Sequence, residues 1–288
     1  MRYTGEKTIF EEKEVIRALL GPDGDIALDD FGWTSRVYII NSGEIVFKFP
    51  RSAKVKKEYK LEIPAYKLAC EIADGILIPQ VRWEHPDNNY LGYKGIVGRS
   101  FDKEASNLTT AERKRAGARL GAFLSKFHKC TLPTAPRKFL EKEFAEHKNK
   151  LALGLPAIKK YFTNAEVARI TRLVLEEYPL RMERLGFKKG LCHGDLGYSN
   201  LICGPHGRIG IIDFGDVGYY DTSIDFAGMI DKDMLEAALE AYGEDISIEK
   251  IKLRQKVIPL FDLPFFAAKK DSGGIGKTIE RIRKFTLK

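Results

Sequence analysis

The segment from Cys192 to Asp216 gathers the side chains with most to offer chemically: His193, Asp195, Asn200, Asp213 and Asp216. Within it, Leu201-Ile202-Cys203 and Ile209-Gly210-Ile211-Ile212 flank Gly204-Pro205-His206-Gly207, the composition of a β-hairpin. A hairpin returns the chain to its start. Asn200, just before the first strand, is therefore expected beside Asp213, just after the second, with Asp195 on the entering loop. Hard oxygen donors with few histidines suit Mg²⁺, which keeps some waters and needs one or two carboxylates plus substrate phosphates. Asp195, set apart from the other two, is free to orient or deprotonate a hydroxyl. Phosphoryl transfer divides its labour this way, with cations on the phosphates and one carboxylate on the attacking group. Asp, Asn and Gly also favour turns for local reasons, but the ordered set H-G-D-x-x-x-x-N followed by D-F-G asks for more than a turn.

The elements that must position these residues can be read outward from them. Val37–Ile40 and Ile45–Phe49 flank Asn41-Ser42-Gly43-Glu44, a second hairpin, and Phe10–Leu20 has helical spacing that stops at Gly21-Pro22. A basic stretch, Arg51 to Lys60, leads into an apolar-periodic segment, 63–72, whose helix Pro64 is expected to start or distort. Ile76–Val81 and Tyr90–Val97 read as strands on either side of the turn Asp87-Asn88-Asn89. Beyond Leu108 the period becomes helical. Thr109 to Glu112 is a helix start, Leu120, Phe123, Leu124 and Phe127 share one face, and further helices are expected near 139–150, 164–185, 231–242, 247–258 and 276–285. The expected fold is α+β: a small sheet-rich N-terminal lobe (1–94), a hinge (95–100) and a larger, mainly helical lobe (101–288) carrying the hairpin.

With 288 residues, 44% hydrophobic and 31% charged, the chain has the make-up of a globular protein with a sizeable core. No apolar run approaches the roughly 18 residues that would span a bilayer, and the first fifteen residues are too charged for a secretory signal. Cys70, Cys130, Cys192 and Cys203 form no C-x-x-C pair, as expected of reduced thiols in a cytoplasmic protein. The net charge of +8 is unevenly spread, because residues 190–249 hold twelve acids and only two bases. Arg51–Lys60 has one aromatic, Tyr59, among its bases and Arg281–Lys284 has none, too few for the stacking platforms a nucleic-acid partner would ask for. The expectation is a monomer with a small-molecule, cationic substrate and no membrane or nucleic-acid partner.

H-G-D-L-x-x-x-N followed by I-D-F-G-D resembles the signature of the aminoglycoside phosphotransferase family, relatives of the protein kinases that modify small molecules. Ile45–Pro50 is similar to the phosphate-binding lysine strand of that family, especially its 2″-phosphotransferase branch. The resemblance implies a protein-kinase-like bilobal fold, with a small antiparallel-sheet N-lobe and a larger helical C-lobe. It implies ATP or GTP as donor and Mg²⁺ as cofactor, with Asp195 as catalytic base, Asn200 and Asp213 as metal ligands, and Lys48 on the nucleotide phosphates. A helical glutamate should hold Lys48, Glu62 fitting best and Glu58 second. Asp225 would brace the catalytic loop, and His193 reads as a structural histidine. The stretch Asp30–Arg36 stands where protein kinases carry a glycine-rich loop; its one glycine and its hydroxyls still offer backbone N–H groups and Ser35 Oγ to a phosphate. The nucleobase would stack near Gly95 to Val97.

The helical lobe after Asp225 is where this family binds its acceptor, and polyamine acceptors call for carboxylates. Asp231, Asp233, Glu236 and Asp262 are the candidates, although Pro259–Phe266 departs from the 2″ pattern. The implied activity is nucleoside-triphosphate-dependent O-phosphorylation of an aminoglycoside, the route to antibiotic resistance. The alternatives are a metabolic kinase for a choline-, homoserine- or methylthioribose-like alcohol and, behind it, a nucleotide-binding pseudoenzyme. Asp271 to Thr278 imitates a Walker A loop but has Asp271 in place of its first glycine and no preceding strand. It is expected to be a flexible glycine loop leading into a helix.

Overall fold

A computed structural model describes residues 6–22 and 24–287; the start of the charged N-terminal segment and the last residue of the C-terminal lobe lie outside them. Helix α1 (Glu6–Leu20) is followed by strands β1 (Ile26–Asp29), β2 (Ser35–Ile40) and β3 (Ile45–Pro50), then helix α2 (Ala53–Ile72). Next come β4 (Ile76–Leu77), β5 (Gln80–Glu84), β6 (Leu91–Lys94) and β7 (Arg99–Ser100). Strands β1, β2, β3, β6 and β5, in that order, form an antiparallel sheet. Ile16 of α1 packs with Tyr38, Ile40, Phe47 and Phe49 on this sheet. Arg36 and Tyr38 both bond Glu12, which pins α1 at the same place.

The remaining chain is mainly helical: α3 (Phe101–Glu104), α4 (Thr110–Phe127), α5 (Leu140–Tyr161), α6 (Asn164–Arg172), α7 (Tyr178–Arg184), α8 (Ile224–Ala227), α9 (Lys232–Tyr242), α10 (Ile248–Lys269) and α11 (Ser272–Arg281). Strands β8 (Lys189–Cys192), β9 (Leu201–Cys203), β10 (Ile209–Ile211) and β11 (Gly218–Asp221) interrupt it. β8 pairs with β11, and β9 with β10. The result is a bilobal α+β fold. Strand β4 leaves the first sheet and pairs in parallel with β10, so part of the N-terminal chain is built into the sheet that carries the hairpin. Helix α4 presents Gly121 to α9, where any Cβ would collide with the carbonyl of Ala238, so these two helices lie unusually close.

Several boundaries differ from those read in the sequence. Ile76–Val81 is not one strand; Ile78-Pro79 divides it, and the halves join different sheets. Helix α2 starts at a Ser52 cap, not near Pro64, and runs through that proline. Likewise α5 continues through Pro156, and α10 through Pro259 and Pro264. Burial of Leu151, Ile158, Leu260 and Leu263 in one apolar cluster outweighs the hydrogen bonds those prolines forgo. No glycine loop precedes α11: the carboxylate of Asp271 caps it, accepting from the N–H groups of Gly273 and Gly274, so the glycines are helical.

Candidate active site

The β9–β10 hairpin brings its two ends together. The N–H of Ile212 donates to the carbonyl of Asn200 at 3.0 Å, and Leu201 lies opposite Ile211. Asn200 Nδ2 donates to the Asp195 carbonyl at 2.8 Å and to Asp195 Oδ2 at 3.0 Å. The amide thereby fixes the carboxylate and keeps its own oxygen free as a ligand. Asp213 adopts a left-handed backbone, φ 64°, uncommon outside glycine. Its N–H is held at 2.9 Å by the hydroxyl of Tyr66. Gly194 also has positive φ, and a Cβ there would strike the carbonyl of Asp216, so only glycine fits between histidine and aspartate.

Lys48 reaches this group from β3. Its Nζ donates to Glu62 Oε1 at 2.6 Å and to Asp213 Oδ1 at 2.9 Å, while Glu58 pairs elsewhere, with Lys54. Burial disfavours the ammonium, but Asp213 and Glu62 more than offset it and hold Lys48 well above the ordinary lysine range. The same contact, chiefly the charge of Lys48, holds Asp213 below the usual carboxylate range. Crowding by protein atoms, then the charges of Asp216, Asp213 and Asp262, raise Asp195 to about 7. The Asp195 side chain nonetheless meets solvent.

Beneath the loop, the buried carboxylate of Asp225 accepts from the N–H groups of His193 and Gly194 at 2.8 and 2.9 Å and bonds His128 Nε2 at 3.1 Å. His128, Cys192 and Asp225 lie close enough to suggest a metal site. Both ring nitrogens of His128 are nevertheless engaged, the second by Tyr242, so the cluster is a closed support. His193 likewise packs on Phe214 and bonds the Ile212 carbonyl.

The chain matches the model of the phosphotransferase enzyme family over residues 25–252. It belongs to that family. The GDP complex of an aminoglycoside 2'-phosphotransferase-IIIa superposes with a TM-score of 0.75 at 19% identity, over 96% of this chain and 98% of that one. The streptomycin–ATP complex of APH(2″)-IIa gives 0.67 at 18%, over 95% of each chain. A choline/ethanolamine kinase family protein from Mesorhizobium loti gives 0.62 at 14%, over 97% and 95%. At these identities the likeness establishes a protein-kinase-like fold, shared by relatives with different acceptors.

In this phosphotransferase several other expected contacts are already committed. Ser35 is buried, and its hydroxyl bonds that of Tyr59 at 2.8 Å, so it is not turned to a phosphate. The N–H of Gly95 donates to the Glu44 carbonyl at 2.8 Å and is withdrawn from any nucleobase; Val97 is exposed. Asp231 caps α9 and pairs with Arg113 at 3.1 Å; Asp233 lies 3.7 Å from Lys114 and Glu236 3.7 Å from Lys232. Two of these acids, Asp231 and Asp233, lie at the α4–α9 contact, and Glu236 lies on the exposed face of α9. Asp262 pairs with Arg281 at 3.0 Å, and its charge is the one of the four that acts on Asp195.

The structure adds residues that the sequence reading passed over. Tyr59 and Tyr66 flank Glu62 at i−3 and i+4 on α2, a spacing that places both tyrosines on the Lys48 side. Asp216, already named beside D-F-G, acts on Asp195. A cavity of about 170 Å³ next to Asp195 is bounded by Lys138, Glu143, Glu146, His147 and Lys150 from the α5 side, and by Asp216 and Tyr220. These α5 residues carry no motif.

Proposed function

We propose that this phosphotransferase moves the γ-phosphate of ATP or GTP to a hydroxyl of a small polyhydroxylated acceptor. One observation carries the reading: Lys48 pairs with Asp213, the N–H of the adjoining Ile212 bonds the Asn200 carbonyl, and Asn200 in turn bonds Asp195, so that residues from separate elements gather at one place. Lys48, steadied by Glu62, would bind the nucleotide phosphates. Asn200 and Asp213 each offer a hard oxygen beyond the contacts already described, a donor set that fits Mg²⁺, whose role when bound is to neutralise phosphate charge. Asp195 would orient the acceptor hydroxyl and take its proton. The hydroxyl oxygen bonds to the γ-phosphorus as the bond to the departing nucleoside diphosphate breaks. Positioning and charge neutralisation supply most of the acceleration.

Two acceptor classes have support. Relatives crystallised with streptomycin or gentamicin favour an aminoglycoside. The small cavity and its lysines favour a compact metabolite. The test is nucleoside-diphosphate release over kanamycin-, gentamicin- and hygromycin-type compounds alongside simple hydroxylated metabolites. Release that needs no acceptor of either class, and persists in Asp195→Ala, removes the proposal.

A further inference from the structure

Resting on that phosphotransferase reading, the geometry of the acceptor cavity narrows the substrate class. We propose that His147 and Lys150 of α5, backed by Phe261 of α10, receive an anionic substituent, so that the acceptor is a hydroxyl compound bearing a carboxylate or phosphate group. Of the charged groups around the cavity, Glu143 is held by Arg254 at 2.6 and 3.1 Å and by the hydroxyl of Tyr178, and Glu146 by Lys138 at 3.4 Å. Lys150 has no carboxylate partner among the described residues; its ammonium lies 5.5 Å from the centroid of the Phe261 ring. The same ring packs on His147 at 4.8 Å, which fixes both cavity residues against α10.

His147 Nδ1 is buried without a hydrogen-bond partner, a cost that a substrate oxygen accepting from it, or a substrate hydroxyl donating to it, would relieve. Burial, with Arg254 and Lys150 nearby, lowers this histidine to about 4, so at neutral pH it serves as a polar contact and Lys150 supplies the charge. A polyamine would meet the ammonium of Lys150, unpaired among the described residues, on the α5 side. Its expected carboxylates Asp231, Asp233 and Glu236 on α9 already have cations within 4 Å, as does Asp262 on α10. The cavity volume, about 170 Å³, also suits a compact ligand more than a multi-ring one. Asp195 and Asp216 confine the anion to the α5 side, leaving a hydroxyl toward Asp195.

The experiment uses the full chain with Mg²⁺ and ATP or GTP, following diphosphate release with gluconate, glucose 6-phosphate, glucose, glucosamine and kanamycin. Gluconate and glucose 6-phosphate separate a carboxylate from a phosphate. An anionic compound is expected to exceed glucose and glucosamine in kcat/KM by at least about tenfold. Lys150→Glu should raise its KM by a similar factor with little change in kcat, while Lys148→Glu, an equal charge change on an exposed position of α5, should leave KM unaltered. Preference for glucosamine or kanamycin, an anion KM indifferent to Lys150→Glu, or no transfer to either anion overturns the proposal while nucleotide binding and hydrolysis keep the phosphotransferase reading. A protein that neither binds nor hydrolyses nucleotide removes both.

Discussion

Asn200 holds Asp195 twice, through Oδ2 at 3.0 Å and through its backbone carbonyl at 2.8 Å. One amide thus orients the Asp195 carboxylate and links it to the hairpin that carries Asp213. Removing the carboxylate should abolish orientation of the acceptor without touching Lys48. Asp195→Ala is therefore expected to lower kcat by at least about 10²-fold, with nucleotide affinity little changed by calorimetric titration. Asn200→Ala should lower kcat as well and raise the Mg²⁺ concentration needed for half-maximal turnover.

Lys48 is 5% exposed and faces two carboxylates, so its charge matters to folding as well as to nucleotide. Lys48→Met keeps the apolar stem but strands Glu62 and Asp213 without a cation. Breaking a buried pair in this way costs about 3 kcal/mol or more, a loss measurable by urea denaturation, and nucleotide affinity should fall with it. The double variant Lys48→Met/Glu62→Gln should recover part of the stability and none of the affinity.

Asp195 also makes stability depend on pH. In the folded chain crowding by protein atoms and its neighbouring carboxylates make it keep its proton to a higher pH than the roughly 3.9 at which it ionises unfolded. Folded-state proton binding therefore favours the native protein at low pH, and that advantage is lost as pH rises through the folded value. In the absence of divalent cation, Asp195→Asn should melt higher than the parent at pH 8, with the gap narrowing toward pH 5. An equal gap at both pH values would mean that the carboxylate's charge is not its cause.

The imitation Walker loop gives a contrast between stability and binding. Asp271 accepts from two N–H groups at 3.1 Å each, the work of a helix cap. Asp271→Ala should cost about 1 kcal/mol of stability, read as a lower urea midpoint. Lys277→Ala should leave nucleotide affinity unchanged, because nothing in the Lys48–Asp213 site involves α11.

What the sequence disclosed follows the locality of each contact. The β9–β10 hairpin and the loop through Asp195 and Asn200 are contiguous, so spacing alone brings Asn200 to Asp213. The Lys48–Glu62 pair joins a strand to a helix fourteen positions on, and only the family resemblance selected Glu62. Composition marked Asp233 and Glu236 as candidates on α9 but not what neighbours they meet, which are Lys114 and Lys232. Lys138, His147 and Lys150 were invisible for the opposite reason, three bases among many, given meaning only by the approach of α5 to Asp195. The helices that run through Pro64, Pro156, Pro259 and Pro264 show tertiary burial overriding a local rule that is sound in isolation.

The turn between β1 and β2 reaches across to the C-terminal helices. Trp33 lies 4.9 Å and Phe31 5.3 Å from the Phe265 ring, centroid to centroid, with Lys269 over both at 5.6 and 5.5 Å. These rings are the link between the glycine-poor turn and α10, and each such pair contributes about 0.5–1.5 kcal/mol. Phe265→Ala should therefore free the turn while sparing the core, since Phe31 and Trp33 are already 44% and 60% exposed. Limited chymotrypsin digestion is expected to cut at Phe31 or Trp33 several times faster in the variant, with the melting temperature nearly unchanged. If cleavage there is no faster, the aromatic contacts are not what holds the turn against α10.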